Sequence, residues 1–160
     1  MNAPSASPER IRALLTTALA PTVLEAAGIP APTFVNGVMQ STYEGTSMLY
    51  SFNDAEASER HLTQYFEMFC NRGIYHKGWS AVTKHRTPWA MGGAVMPAFD
   101  DDVWELYDGN SDWTQSNDLS REHPDKLHEL QRLWLIEAVK YNVLPLDDRR
   151  VRVGRRSLEF

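Results

Sequence analysis

The chain has 160 residues, with 16 Lys and Arg against 21 Asp and Glu, a formal net charge of -5, and 42% hydrophobic residues. A domain of this length buries roughly 68–70% of its unfolded surface, so a single folded unit is the expectation, and the composition is against disorder throughout. The acidic balance argues against general nucleic-acid binding, which needs clustered cations, and no apolar run reaches the roughly 18 residues of a membrane span.

From the start, residues 2–8 are Ala, Pro and Ser with Asn and read as a linker. Ile11, Leu14, Leu15 and Leu19 permit a short helix, and Pro21 permits a second helix at its first turn, which Gly28, Pro30 and Pro32 stop. Residues 31–62 show no sustained period and read as a long irregular connection, with Asn36-Gly37 and Gly45 as turn candidates. From Thr63 the pattern turns to β. Tyr65, Glu67 and Phe69 alternate with Phe66 and Met68, followed by Ile74-Tyr75, by Trp79 to Thr83 and by Val103 to Tyr107, with Gly73 and Gly78 as punctuation. Gly78 stands where a tight hairpin needs a positive φ. Arg86 to Ala98, with Pro88, Gly92, Gly93 and Pro97, reads as a loop between the last two strands.

Pro124 opens the best helix, with Leu127, Leu130, Leu133, Trp134, Ala138 and Tyr141 at spacings of three and four. Leu135, Ile136 and Val139 widen its apolar sector beyond one face, so it should pack between two surfaces. The tail carries Arg149, Arg150, Arg152, Arg155 and Arg156, read as a solvated terminus in preference to a nucleic-acid arm. The expected fold is α+β, a small antiparallel sheet of about four strands packed against the C-terminal helix.

Candidate chemistry is sparse. From Pro97 to Ser120 there are seven acids and no base. Asp108, Asn110 and Asp112 sit at the first, third and fifth positions of a calcium loop, but Trp113 and Leu119 stand where Gly and the bidentate Glu belong, which favours a solvated acidic turn. His61, His76, His85, His123 and His128 form no zinc-spaced pair, and Cys70, the single cysteine, reads as a half-buried structural thiol. No nucleophile elbow or phosphate loop occurs, and no pair of carboxylates is singled out for glycoside hydrolysis.

The stretch Gln64 to Val82, QYFEMFCNRGIYHKGWSAV, resembles the terminal antiparallel sheet of the arylsulfatase family, in which Glu-Met-Phe leads through Asn-Arg-x-Ile-Tyr-His to a Gly-Trp turn. The resemblance continues on both sides, through Ala20 to Pro30, Val35-Asn-Gly-Val38, Glu44-Gly-Thr-Ser-Met48, Phe99 to Asp108, Asn117-Asp-Leu119 and Lys140 to Arg149. It divides the chain into a divergent segment 1–19, a sulfatase-like part 20–149 and a basic tail 150–160. The family's Cys-x-Pro-Ser-Arg or Cys-x-Ala-Ser-Arg segment, whose cysteine becomes formylglycine, is absent from the sequence. The resemblance therefore implies a non-catalytic C-terminal portion that packs against a catalytic domain, with calcium and formylglycine belonging to that other part.

Many sulfatases follow Gly-x-Trp with a sulfate-binding Lys; here Gly78-Trp79 is followed by Ser80, so that role does not carry over. Lys77, Trp79 and Ser80 remain the residues placed nearest to substrate by resemblance, while surface roles for Lys77 and Lys84 and a packing role for Trp79 are the plainer readings. No metal ligand is assigned. The expected partner is a sulfatase catalytic domain or a second copy, with no nucleic acid and no membrane, and a cytoplasmic location follows because the start lacks the apolar core and cleavage site of a signal peptide. Two alternatives stand: a free-standing binding module derived from a sulfatase, and an accessory chain whose other half is encoded separately.

Overall fold

The computed structural model describes residues 17–54, 56–87 and 97–148. The expectations for the opening linker and first helix, most of the Arg86 to Ala98 loop, and the arginine tail lie outside the described residues.

Helix α1 spans Leu19–Ala26. It ends where Gly28 takes φ +66° and Ile29 N–H donates to the Leu24 carbonyl at 2.9 Å, a glycine-based stop that uses an orphan carbonyl of the last turn. Its buried residue Thr22 receives a hydrogen bond from Met48 N–H at 2.9 Å, which ties the helix to the chain ahead of the sheet. Residues 31–62 are not irregular throughout, as their aperiodic sequence suggested. Strands β1, Phe34–Val35, and β2, Val38–Met39, form a hairpin around Asn36 and Gly37, both at positive φ. Two-residue strands are too short to show a period, but Asn-Gly is the turn that twists with the strands it joins.

The main sheet has the order β3-β4-β5-β6 and is antiparallel throughout, with β3 at Thr63–Met68, β4 at Asn71–His76, β5 at Trp79–Thr83 and β6 at Trp104–Asp108. Register places Tyr65 opposite Ile74, Ile74 opposite Ala81, and Ala81 opposite Leu106. Because side chains alternate across a strand, these four form a single apolar row on one face. Helix α2, Pro124–Lys140, lies over that row and buries Leu130, Trp134 and Ala138, residues four apart on one stripe. Pro at its first turn loses no helical hydrogen bond. Beyond its end, Asn142 at φ +56° lets Val143 N–H reach the Ala138 carbonyl, and Val143 and Leu146 fold back onto the core.

Trp134 is the largest fully buried side chain, and its indole N–H donates to the Phe66 carbonyl at 3.1 Å. Its ring meets Tyr65 at 5.7 Å and Trp104 at 6.4 Å between centroids. The fold is the expected α+β arrangement with a four-stranded antiparallel sheet and a C-terminal helix. Two apolar surfaces stay uncovered. Leu135, Ile136 and Val139 are exposed on α2, and all four side chains of the β1–β2 hairpin are exposed. Among the described residues no helix is long and apolar enough to cross a membrane.

Replacing Trp134 by Ala removes the buried ring and its hydrogen bond, and the expected loss of stability is about 3–5 kcal/mol. Chemical denaturation followed by circular dichroism measures it. An unchanged midpoint would refute this packing.

Candidate functional site

The Gly78-Trp79 turn is built from local geometry outward. Lys77 at φ +49° and Gly78 at φ +88° form the two central residues of a hairpin turn between β4 and β5. Gly109 N–H donates to the Gly78 carbonyl at 2.8 Å, and a Cβ on Gly78 would stand 2.2 Å from Asn110 Nδ2. Glycine is thus required for its dihedral, and its bare Cα also leaves room for the Asn110 side chain. Lys77 is exposed, as the plainer reading held, and so is Lys84.

Trp79 is half-buried, packs against the α2 core and meets the His123 ring edge-on at 5.6 Å, so it pins the start of α2 to the turn. Ser80 is buried on the opposite face of the sheet, between Tyr75 and Tyr107 in register. The three residues marked by resemblance therefore do not converge, and Trp79 and Ser80 point to opposite faces because they are neighbours on one strand.

What the structure brings together is a different group. Arg72 forms an ion pair with Asp102. His85 Nδ1 lies 2.9 Å from Asp102 Oδ1 and 3.0 Å from Oδ2, and since a carboxylate only accepts, Nδ1 carries the proton. The side chains of His85 and Asp102 are 0% and 1% exposed. The His85 ring stacks on Phe99 at 4.3 Å, and the Arg72 guanidinium stands 5.2 Å from the Trp104 ring and 5.8 Å from that of Trp134. Asp102 is a correction to the reading of residues 97–120 as a solvated acidic turn: it is buried because Arg72 and His85, about thirty and seventeen residues away in sequence, supply its partners.

A carboxylate orienting a histidine is also the arrangement of a general base. Here the free nitrogen, His85 Nε2, is itself buried, with Asp148 Oδ2 at 3.6 Å and no hydrogen-bond partner. No substrate reaches it in this conformation, so the cluster acts structurally, joining β4, the segment before β6, and the chain beyond α2.

Asp108, Asp112 and Asp118 each accept hydrogen bonds from the backbone around them. Asp108 Oδ1 accepts from Asn110 N–H, and Asp112 accepts from the Thr114 hydroxyl at 2.6 Å and from the amides of Ser116 and Asn117. The Thr114 hydroxyl and the Asn117 amide hold the Asp112 carboxyl at about 2. These carboxylates cap turns, and Asp118 likewise accepts from Leu106 N–H of β6 at 2.9 Å. Among the described residues no group of three metal-ligating side chains converges. Cys70 is 3% exposed, more buried than expected, with φ +68°. Burial raises its thiol pKa, with Arg86 partly opposing.

One open groove of about 540 Å³ lies beside α2, between the end of β4 and the exposed stripe of the helix. His76, His128 and Arg132 line it together with Asp125 and Glu129. Asp125, His128, Glu129 and Arg132 lie on successive turns of α2, and His76 joins them from the sheet, which sequence spacing does not disclose.

A four-stranded antiparallel sheet crossed by one helix is the class of fold these elements define. No family model and no curated protein matches the sequence. Solved structures do align with the chain. One, described as BT4656 in complex with its substrate D-Glucosamine-2-N, 6-O-disulfate, aligns at a TM-score of 0.51 and 19% identity, over 82% of this chain and 25% of that one. A second, BT33336S-sulf, from work on glycosaminoglycan metabolism by Bacteroides thetaiotaomicron, aligns at 0.49 and 18% identity over 77% of this chain and 24% of its own. The chain spans about a quarter of each of these structures.

Two expectations follow. Asp102→Ala leaves Arg72 buried without its counter-charge and should cost about 3–5 kcal/mol in a denaturation experiment; a neutral effect would mean the ion pair is not formed. Cys70 should react with a disulfide reagent far more slowly in the native state than in denaturant, since the thiol is both covered and held protonated; equal rates would contradict its burial.

Proposed function

We propose that this chain is the non-catalytic C-terminal portion of an arylsulfatase-type sulfuric ester hydrolase, and that it docks on a catalytic domain. The observation that carries the reading is the fold likeness: most of this chain aligns with about a quarter of a protein whose substrate is a sulfated sugar. Two further features support it. The Asn-Arg-x-Ile-Tyr-His and Gly-Trp segments fall on β4 and the β4–β5 turn, as the resemblance requires. Leu135 and Val139 of α2, 49% and 65% exposed, and the β1–β2 hairpin present apolar surface of the kind that marks an interface.

On this reading the chain supplies a wall beside the reaction centre. The formylglycine nucleophile and calcium belong to the catalytic domain, and Lys77 and Trp79 at the turn lie toward the substrate side, where Lys77 offers a mobile point charge. Ser80, buried behind Trp79, takes no part. A cytoplasmic location belongs to the same proposal.

A second reading, a free-standing binding module, draws on the mixed-charge groove beside α2, which provides a surface for a ligand without a catalytic domain.

The test uses the purified chain with a sulfatase catalytic domain supplied separately. Alone, the chain should hydrolyse an aryl sulfate in the presence of calcium no faster than buffer, and should bind a hydrophobic dye. Added catalytic domain should form a complex, suppress the dye signal and protect residues 31–62 from protease. A monomer that binds no dye and gains no protection would refute docking and favour the binding module. Turnover by the chain alone, abolished by a mutation within it, would overturn the non-catalytic assignment.

A further inference from the structure

The groove beside α2 holds a combination of groups that the packing of the fold does not consume. Arg132 and Asp125 form no ion pair or hydrogen bond with any described residue, and neither does His128. Glu129 does have a partner, Lys126 Nζ at 2.9 Å, so its charge is compensated while the outer lone pairs of its carboxylate remain available. Arg132 is accordingly the permanent, uncompensated cation of the groove.

His76 faces Arg132 from the end of β4. Its Nδ1 is tied to Thr63 Oγ1 at 2.8 Å, which fixes the ring and leaves Nε2 for other contacts. Burial, aided by Lys77 and Lys126, lowers its pKa, which disfavours a second cation in the groove. Leu133 and Ile136 add an apolar side, and Ile136 is 62% exposed.

This mixture discriminates among ligands. A bare inorganic anion would meet Arg132 but would bring no donor to the Asp125 and Glu129 carboxylates. An apolar ligand would leave Arg132 and Asp125 unpaired. A ring carrying one anionic ester and several hydroxyls satisfies all of them: the ester oxygens take the guanidinium fork, the hydroxyls donate to Asp125 and Glu129 or pair with the two imidazoles, and the C–H face of the ring rests on Ile136 and Leu133.

We propose that the α2 groove is a binding site for an anionic saccharide, with Arg132 holding its sulfate ester and Asp125 its hydroxyls. The choice of a sulfate ester over another anionic ester rests on the function proposed above; the groove itself requires only the anion and the hydroxyls. The site is separate from the Gly78-Trp79 turn and makes this chain a contributor to substrate capture as well as a docking element.

The experiment is a titration of the full-length chain, isotopically labelled, with glucosamine 6-sulfate, glucosamine, glucuronate and inorganic sulfate, followed by the NMR signals of the His76 and His128 rings and the Arg132 side chain. Saturable shifts of all three with glucosamine 6-sulfate are expected at millimolar concentration, as befits a shallow open site. Glucosamine and inorganic sulfate should bind about tenfold or more weakly, since each lacks half of the recognition. Comparable binding of glucuronate would retain the anionic-saccharide site but overturn its assignment to sulfate esters. Arg132→Gln should weaken binding of the sulfated sugar about tenfold while leaving the thermal midpoint unchanged, because Arg132 supports no packing. Asp125→Asn should weaken the sugar more than it weakens free sulfate. Equal shifts from inorganic sulfate and from the sulfated sugar, or wild-type affinity in Arg132→Gln, would overturn the proposal. Loss of dye suppression and of protease protection in the docking experiment would leave these titrations untouched, so the two readings fail separately.

Discussion

The interaction on which the rest of the structure depends is the seating of Trp134 on the row Tyr65, Ile74, Ala81 and Leu106. The row crosses all four strands, so one side chain from α2 is in register with the whole sheet. Ala81, fully buried in the middle of it, is small enough to leave room above the sheet, and Ile74 and Leu106 flank it. The indole N–H, which would be costly to bury unpaired, is satisfied by the Phe66 carbonyl of β3. Packing and polar satisfaction thus select the same placement of the helix.

The charged cluster extends that placement to the sheet's far end. Arg72 lies among Phe99, Trp104 and Trp134 with its charge answered by Asp102, so the aromatic surface around Trp134 also fixes the segment before β6. His85 completes the pairing of Asp102 and approaches Asp148 on the chain that returns from α2. Buried pairs of this kind contribute little net stability compared with apolar replacements, but breaking one is expensive, so they fix which segments meet. The cluster therefore holds together His85 after β5, Asp102 before β6 and Asp148 beyond α2, none of which lies in a periodic stretch of sequence.

The core and the charged cluster leave one side of the described fold finished and another open. The face between sheet and helix is closed by the aromatic core. The outer stripe of α2 and the β1–β2 hairpin remain apolar and exposed, while the adjacent groove holds unpaired polar groups. An apolar patch beside a polar groove combines two properties, a surface that gains from being covered and one that gains from a hydrated, charged ligand. The proposed docking and saccharide sites assign one to each.

Read by itself, the sequence determined the elements whose signals are local. The alternation from Tyr65 to Met68, the glycine at Gly78 and the three-and-four spacing from Leu127 to Ala138 are consequences of strand and helix periods within a few residues, whereas Phe69, which continues the alternation in sequence, stands at φ +53° in the turn after β3. They are enough for a four-stranded meander and a covering helix. Tertiary structure decided the rest. Asp102 reads as one solvated acid among seven until Arg72 and His85 are brought to it, and its burial is a property of three separated segments. The two-residue strands at Phe34 and Val38 are too short for any period. Ser80 loses its place at the turn because adjacent strand residues face opposite sides, and the groove exists because His76 at the end of β4 lies beside Arg132 on α2. Charge pairing and concavity depend on distances between elements, and spacing along the chain does not encode those distances.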